Sequence, residues 1–357
     1  MPTPSIPLAT ALEVAAAAAP DGVTVRPWRG PADYEAMVTV FRAARSVDGT
    51  DWDATTASLA ADITGLGYRP EDCVLIAKAG DQVVGWVRML DFGLSNDAGR
   101  LLVHGGHVDP AWRRKGIGSA FIAGAQAELL RILADKPSPA GTAGGFETFV
   151  HAANRSTIAL LERLGYGPRR YMIEMTRPLD EISLVELPAG ITSRPVREED
   201  RRQVVLALDA AMRDHPGWPV VTEEQLLGMS THPNRGQLDV WQVAWDGDRV
   251  VGGVLGYVDS DENAALGRNR GYTEAIFTIR EYRGRGVAGA LISKNLALLR
   301  DRGLTEAALA VDTENPTGAL GLYQRHGFRE AGRMIFLRKE LDLASVPQDR
   351  GARPTTR

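Results

Sequence analysis

Two short runs, "RRKGIG" from Arg113 to Gly118 and "RGRGVA" from Arg283 to Ala288, each set an Arg/Gly-rich turn between an apolar segment and an amphipathic helix. The first amides of a helix have no intrahelical partner and carry the positive end of its dipole. Glycines let the backbone turn tightly and let a ligand approach without meeting a Cβ atom. Arginine and lysine add charge. The chemistry that suits this spacing is the cradling of a pyrophosphate. Neither run ends in the Gly-Lys-Ser/Thr of a P-loop. A dinucleotide-binding turn would follow a first strand and carry a third glycine. These corners follow the fourth predicted strand of their half and lack that glycine. A corner that only turns the chain is the plain alternative, and its recurrence in two equivalent places argues for a ligand site.

Three further residues could do chemistry near the second corner. Glu274 lies in "GYTEAIFTIR", where strand alternation puts Glu274, Ile276 and Thr278 on one face. A carboxylate in an apolar strand is a candidate general base or an edge-strand charge. Tyr323, in "GLYQRHGF", is a phenol that could protonate a leaving group or simply pack in a core. Asn315 precedes Pro316 and reads as a helix N-cap with Pro at the first helical position. In the first half, Asn154 matches Asn315, either Leu161 or Glu162 takes the place of Tyr323, and His104 takes that of Glu274 when counted back from the corner. The single cysteine, Cys73, begins the apolar run "CVLIAKAG" and reads as an inert core residue.

The elements that position these residues are duplicated. "GVTVRPWRGPADYEAM" from Gly22 matches "GITSRPVREEDRRQVV" from Gly190, and "LIAKAGDQVVGWVRML" from Leu75 matches "QVAWDGDRVVGGVLGY" from Gln242. Each half then reads β-α-α-β-β-β-α-β-α-β, with a hairpin turned at Gly-Asp and a last strand that closes it. Ile117, Phe121, Ala125, Leu129 and Ile132 recur at helical spacing after the first corner, and Ala288, Leu291, Ile292, Leu296 and Leu299 do so after the second. Crossover helices require parallel neighbours and hairpins antiparallel ones, so the sheets are mixed. The expected organisation is a disordered arm over 1–20, a first domain over 21–178 and an acidic linker over 179–189. A second domain over 190–341 and a disordered tail over 342–357 complete it.

The bulk numbers agree with two ordinary domains. The chain has 357 residues and a net charge of -4. No basic field attracts nucleic acid or an anionic membrane, and no apolar run stands out as a bilayer span. One cysteine allows no intrachain disulfide and suits a reducing, cytoplasmic setting. No metal is expected. "SDENAALGRNRG", which ends at Gly271, reads as a flexible acidic loop.

The pattern R-x-x-G-x-G/A, together with "NPTGALGLYQRHGF", resembles the GNAT acyltransferase family over essentially the whole chain, as two tandem units. Within it, "GLTEAALAVDTENPTGALGLY" is most similar to the mycothiol synthase group. The resemblance implies an α/β fold of two tandem GNAT domains, each a mixed, mostly antiparallel sheet flanked by helices. It implies acetyl-CoA as cofactor, with pyrophosphate on the amides of Arg283, Gly284, Arg285, Gly286, Val287 and Ala288. The pantetheine arm would lie along Phe277, Thr278 and Ile279, between splayed strands, and touch Asn315. Val108, Arg113, Arg114, Lys115, Gly116, Ile117, Gly118 and Asn154 are the matching first-half positions. An amine would attack the thioester directly, with Tyr323 as acid and Glu274 as base. The first half lacks the phenol and is expected to be degenerate. The acceptor would be a small-molecule amine, with a protein N-terminus or lysine as the alternative acceptor. A non-catalytic CoA-binding protein is the reading from another class. A monomer or homodimer fits either.

Overall fold

The computed structural model describes residues 8–64, 67–95, 99–139, 142–215, 218–315 and 318–343. The first half contains α1 (Ala9–Ala17), β1 (Val23–Pro27), α2 (Ala32–Asp48), α3 (Thr56–Thr64), β2 (Val74–Ala79), β3 (Gln82–Leu94), β4 (Arg100–Val108), α4 (Ile117–Asp135), β5 (Gly144–His151), α5 (Arg155–Arg163) and β6 (Gly167–Pro178). The second contains β7 (Thr192–Ser193), α6 (Arg201–Met212), α7 (Glu223–Ser230), β8 (Gln242–Asp246), β9 (Arg249–Val254), α8 (Ser260–Leu266), β10 (Arg270–Tyr272), β11 (Ile276–Thr278), α9 (Val287–Asp301), β12 (Glu306–Asp312), α10 (Ala319–Arg325) and β13 (Arg329–Leu341). The duplicated plan is therefore present, with α1 and α8 added to it.

The closing strands depart from the expectation that each half closes itself. The large sheet runs β1-β2-β3-β4-β5-β13-β6-β12-β10. β13, from the end of the chain, pairs with β5 of the first half. β6, from the first half, pairs with β12 of the second. The two closing strands also pair with each other, so the halves exchange them and share one sheet. A boundary drawn at residue 178 thus follows the sequence repeat and not the sheet. A second sheet, β11-β9-β8-β7, completes the second half. Among the described residues, parallel pairing is confined to β4 with β5 and β10 with β12.

Two segments expected to be irregular are helical. Residues 1–20 were expected to form a disordered arm, yet α1 packs on α4 through Ala11 and Ala15, both fully buried. The approach is close: a Cβ at Gly124 would fall 2.6 Å from the Ala11 carbonyl oxygen. The Ala11 amide, an orphan donor of the first helical turn, donates to the buried Glu128 carboxylate at 3.1 Å. Alanines hide this helix from a hydrophobic pattern because small side chains bury little area while permitting close packing. The acidic "SDENAALGRNRG" segment forms α8, capped by Asp259 accepting from the Glu262 amide. Glu262 is buried, pairs with Arg268 at 2.6 Å and accepts from the Tyr272 hydroxyl at 2.5 Å.

One helix, Ile117–Asp135, is long and apolar enough by length and composition to cross a bilayer, contrary to the expectation that no such run exists. Its apolarity has a structural cause. Ile117, Phe121, Ala125, Leu129 and Ile132 pack into the core of the first half, while Gly124 lies under α1.

Candidate active site

The second corner is built by geometry that the first repeats. In both, a single 3-10 turn, Pro110–Trp112 or Arg280–Tyr282, leads into the glycine run. Gly116 and Gly286 take the N-cap positions of α4 and α9 at φ 103° and 90°. Two residues earlier, Arg114 and Gly284 match as well, at φ 64° and 74°. Arg114 therefore holds a left-handed conformation that usually falls to glycine. At Gly284 and Gly286 a Cβ would meet nothing within 4 Å, so the space above these amides is open. This fits a pyrophosphate laid on the start of α9. The side chains of Ile117 and Val287 are buried, which leaves only their amides for a ligand.

The first arginine of each corner has structural work. Arg283 donates from Nε to the Thr278 carbonyl and pairs with Asp214 at 2.6 Å. Arg113 donates to the Val108 carbonyl and pairs with Asp48 at 2.6 Å. Both tie the corner to the helix packed beside it. The exposed cations of the corners are Arg114, Lys115, over the Trp112 ring at 4.1 Å, and Arg285, over the Tyr282 ring at 5.1 Å.

A split strand leads into the corner. Arg270, Gly271 and Tyr272 of β10 pair with β12, and the Thr273 amide donates to the Ala308 carbonyl at 2.8 Å. The chain then bulges at Ala275, φ 44°, and β11 continues in the other sheet against β9. The gap between β11 and β12 is the splay expected for a pantetheine arm. Phe277 is buried in the core behind it, and the Thr278 hydroxyl is buried without a hydrogen-bond partner among the described residues. The first half splays at the matching place, where the β4–β5 ladder ends at Val103–Glu147. Yet β4 runs unbroken to Val108.

That missing bulge corrects the match of His104 to Glu274. Thr273 is fully buried and donates to Asn295 of α9 at 2.9 Å. His104 likewise faces its helix: its Nε2 lies 2.6 Å from the Tyr166 hydroxyl, which accepts from Gln126 of α4 at 2.9 Å. His104 therefore shares the orientation of Thr273. The extra residue at the bulge turns Glu274 to the opposite face, and counting back from the corner conceals this because strand direction alternates residue by residue. Burial pushes His104 down to about 4. Unfolded, it would titrate near 6.5. Its contribution to stability is thus present above about pH 6.5 and lost as pH falls towards about 4. Tyr166→Phe, which strands the His104 and Gln126 nitrogens, should cost ~1–3 kcal/mol in a denaturant melt. It should leave turnover unchanged.

Glu274 is half-buried and has no hydrogen bond or ion pair from its side chain among the described residues. Burial raises its pKa, opposed by Arg235 and reinforced by Glu262 and Glu174. Tyr323 is 6 % exposed, and its ring meets Phe328 edge-on at 6.4 Å. Burial, then the charge of Glu274, raises its pKa, so the phenol keeps its proton. Its hydroxyl makes no hydrogen bond among the described residues. Asn154 caps α5, accepting from the Thr157 amide at 3.1 Å. Asn315 does not cap α10: Gly318 holds that position at φ 70°, three residues on. A left-handed glycine starts this helix, so the Asn is displaced upstream. Pro316 lies outside the described residues. The structure also brings in Arg235, Tyr257 and Glu174, which sequence spacing could not associate with the site. Tyr257 stacks on Tyr272 at 4.6 Å.

Comparison with known proteins matches both halves to one family. The sequence model described as "Acetyltransferase (GNAT) family" matches residues 205–328, and that described as "Acetyltransferase (GNAT) domain" matches 70–168. The chain is 29% identical over 305 residues to a mycothiol acetyltransferase of Geodermatophilus obscurus, covering 84% of this chain and 91% of the relative. Among solved structures it is similar to a GCN5-related N-acetyltransferase from Sphaerobacter thermophilus. The TM-score there is 0.69 at 27% identity, over 90% of this chain and 96% of that one. A tandem GNAT protein from the clavulanic acid biosynthesis pathway shares the fold, with a TM-score of 0.66 at 14% identity, over 89% and 98% of the two chains.

Proposed function

The chain belongs to the acetyltransferase (GNAT) family as two fused domains and is an N-acetyltransferase, and on that premise we propose that its second half moves an acetyl group from acetyl-CoA to the amine of a small molecule. The observation that carries this is the split strand. It opens a cleft beside the glycine corner and brings Glu274 within electrostatic reach of the unbonded Tyr323 hydroxyl. Acetyl-CoA would supply the acetyl group as a thioester. The amides from Arg283 to Ala288 would hold its pyrophosphate, as the open space above Gly284 and Gly286 supports. Glu274 takes a proton from the acceptor ammonium. Its raised pKa brings it closer to neutrality, where a base both accepts and is available. Tyr323 gives its proton to the departing sulfur. The first half keeps the corner but has no phenol at the place of Tyr323, and its strand has no counterpart of the bulge that turns Glu274, so it acts as scaffold and cofactor-binding remnant.

The test is a screen of aliphatic primary amines, amino sugars and peptide N-termini with acetyl-CoA, read as thiol release. Turnover with a small amine is expected. Turnover with peptides alone would replace this acceptor class, and no turnover with any amine would overturn the reading. With the best amine, kcat/KM should fall as pH drops through an ionisation above the ordinary glutamate range. Glu274→Gln should lose that acidic limb, and a limb that survives in the variant would remove Glu274 as the base.

A further inference from the structure

We propose that Arg235 binds a carboxylate of the acceptor, so that the small amine is an amino acid held between this guanidinium and Glu274. The proposal rests on the acetyl transfer to a small amine proposed above.

Three side chains mark the face beside which Arg235 lies. A Cβ at Gly256 would fall 2.7 Å from Asn295 Nδ2 of α9, so Gly256 faces that helix and Tyr257 faces away from it. A Cβ at Gly271 would meet Leu299 of α9 at 2.5 Å, so Tyr272 also faces away, and its ring stacks on that of Tyr257 at 4.6 Å. Thr273 bonds to Asn295 of α9, which turns Glu274 onto this same outer face. The Arg235 guanidinium stands next to this row. Its charge acts on both Tyr257 and Glu274, and the Tyr257 hydroxyl is its hydrogen-bonding neighbour. From the first half, Asp62 of α3 comes within 3.9 Å of it.

The backbone that carries Arg235 is fixed, while its head group is left open. Gln237 Nε2 donates to the Val258 carbonyl at 2.8 Å, and the Val258 amide donates back to Gln237 Oε1 at 3.0 Å. The Asn234 side chain donates to Asp259, and the Arg235 carbonyl accepts from the Trp241 indole at 3.2 Å. The guanidinium itself is 56 % exposed. Its one ion pair among the described residues, with Asp62 Oδ1, is too long for a hydrogen bond, and His232 Nε2 lies 3.6 Å from the same oxygen. The other arginines where the halves meet are spent. Arg268 pairs with Asp51 and Glu262 at 2.8 and 2.6 Å, and Arg270 with Asp51 and Glu306 at 2.7 and 2.5 Å. Arg235 and Glu274 make no ion pair with each other among the described residues, although each feels the other's charge. A gap thus separates a base from a cation. An amino acid spans such a gap in complementary order, its ammonium at Glu274, where the base must act, and its carboxylate on the guanidinium fork. A simple alkylamine would leave the fork unused.

The experiment gives wild type, Arg235→Gln and Arg235→Lys the common L-amino acids and their carboxamides as matched pairs, with acetyl-CoA. Melting curves check that each variant is folded. The two members of a pair share amine and side chain, and only the amino acid has the carboxylate. Arg235 opposes the rise in the pKa of Glu274, so its removal should move the acidic limb to higher pH for both members. Rates are therefore compared on the plateau above that limb. Arg235→Gln should raise KM for the best amino acid by about 10–100-fold, the weight of a charge-assisted hydrogen bond. The KM of its carboxamide and both kcat values should stay near wild type. Arg235→Lys, which keeps the charge but not the fork, should recover part of the loss. Calorimetric titration of the CoA-loaded protein with the amino acids, which needs no turnover, should show the same loss. Equal changes in KM for both members of a pair, or a wild type that prefers the carboxamides, would overturn the proposal. So would equal amino-acid affinity in wild type and Arg235→Gln, or no amino-acid binding to the CoA-loaded wild type. Turnover of simple amines alone would overturn this proposal and leave acetyl transfer standing. An amino acid held through Arg235 but never acetylated would overturn the acetyl-transfer reading and leave the carboxylate site standing.

Discussion

Tyr323→Phe is expected to lower kcat by ~10²–10⁴-fold, the usual contribution of a positioned acid, while affinity for acetyl-CoA stays at the wild-type level. The substitution keeps the ring, which packs edge-on against Phe328, and removes only a hydroxyl that bonds to nothing among the described residues. A hydroxyl that makes no hydrogen bond adds little to the fold, so the variant should melt near the wild-type temperature. Because burial and Glu274 raise the phenol above its ordinary range, wild type should show no alkaline limb of kcat below about pH 10. Rates against pH for both proteins check this. A folded variant that turns over at the wild-type rate would remove Tyr323 from the mechanism.

Gly286→Val is expected to abolish CoA binding and turnover, while Gly116→Val leaves turnover intact. The two sites are internal controls for each other. Both glycines cap a helix in the left-handed region, at φ 90° and 103°, and a Cβ at either meets nothing within 4 Å. Each substitution therefore carries the same kind of backbone strain, ~1–3 kcal/mol, without a clash. What differs is whether a ligand must occupy the open space. Calorimetry with CoA and steady-state rates separate the two, with melting curves to show equal destabilisation. Equal losses of rate in both variants would mean that the first corner is catalytic too.

Much of the site was legible in the sequence because its cause is local. A left-handed glycine at a helix start and an amphipathic repeat behind it are properties of a few adjacent residues, so the two corners and α4 and α9 follow from "RRKGIG", "RGRGVA" and what comes after them. Tyr323 was found through a family pattern of the same local kind. The helix α1 escaped because alanines carry no strong pattern, and α8 because acidic residues at a capped helix start look like a loop.

The exchange of β6 and β13 was not readable at all. Either closing strand presents the same alternation to β5 or to β12, so the choice is made by which edges lie together once both halves have formed. The bulge at Ala275 is also a tertiary result: one extra residue is taken up where the chain leaves β12 after β10 and joins β9 as β11, and it turns Glu274 to the face opposite Thr273 while His104 faces its helix. The sequence by itself determined the duplicated domain, the two glycine corners and the candidate acid. Only the tertiary structure decided that the halves share one sheet and which face Glu274 takes, because both follow from pairing between strands far apart in the chain, and pairing partners are not encoded in spacing along the chain.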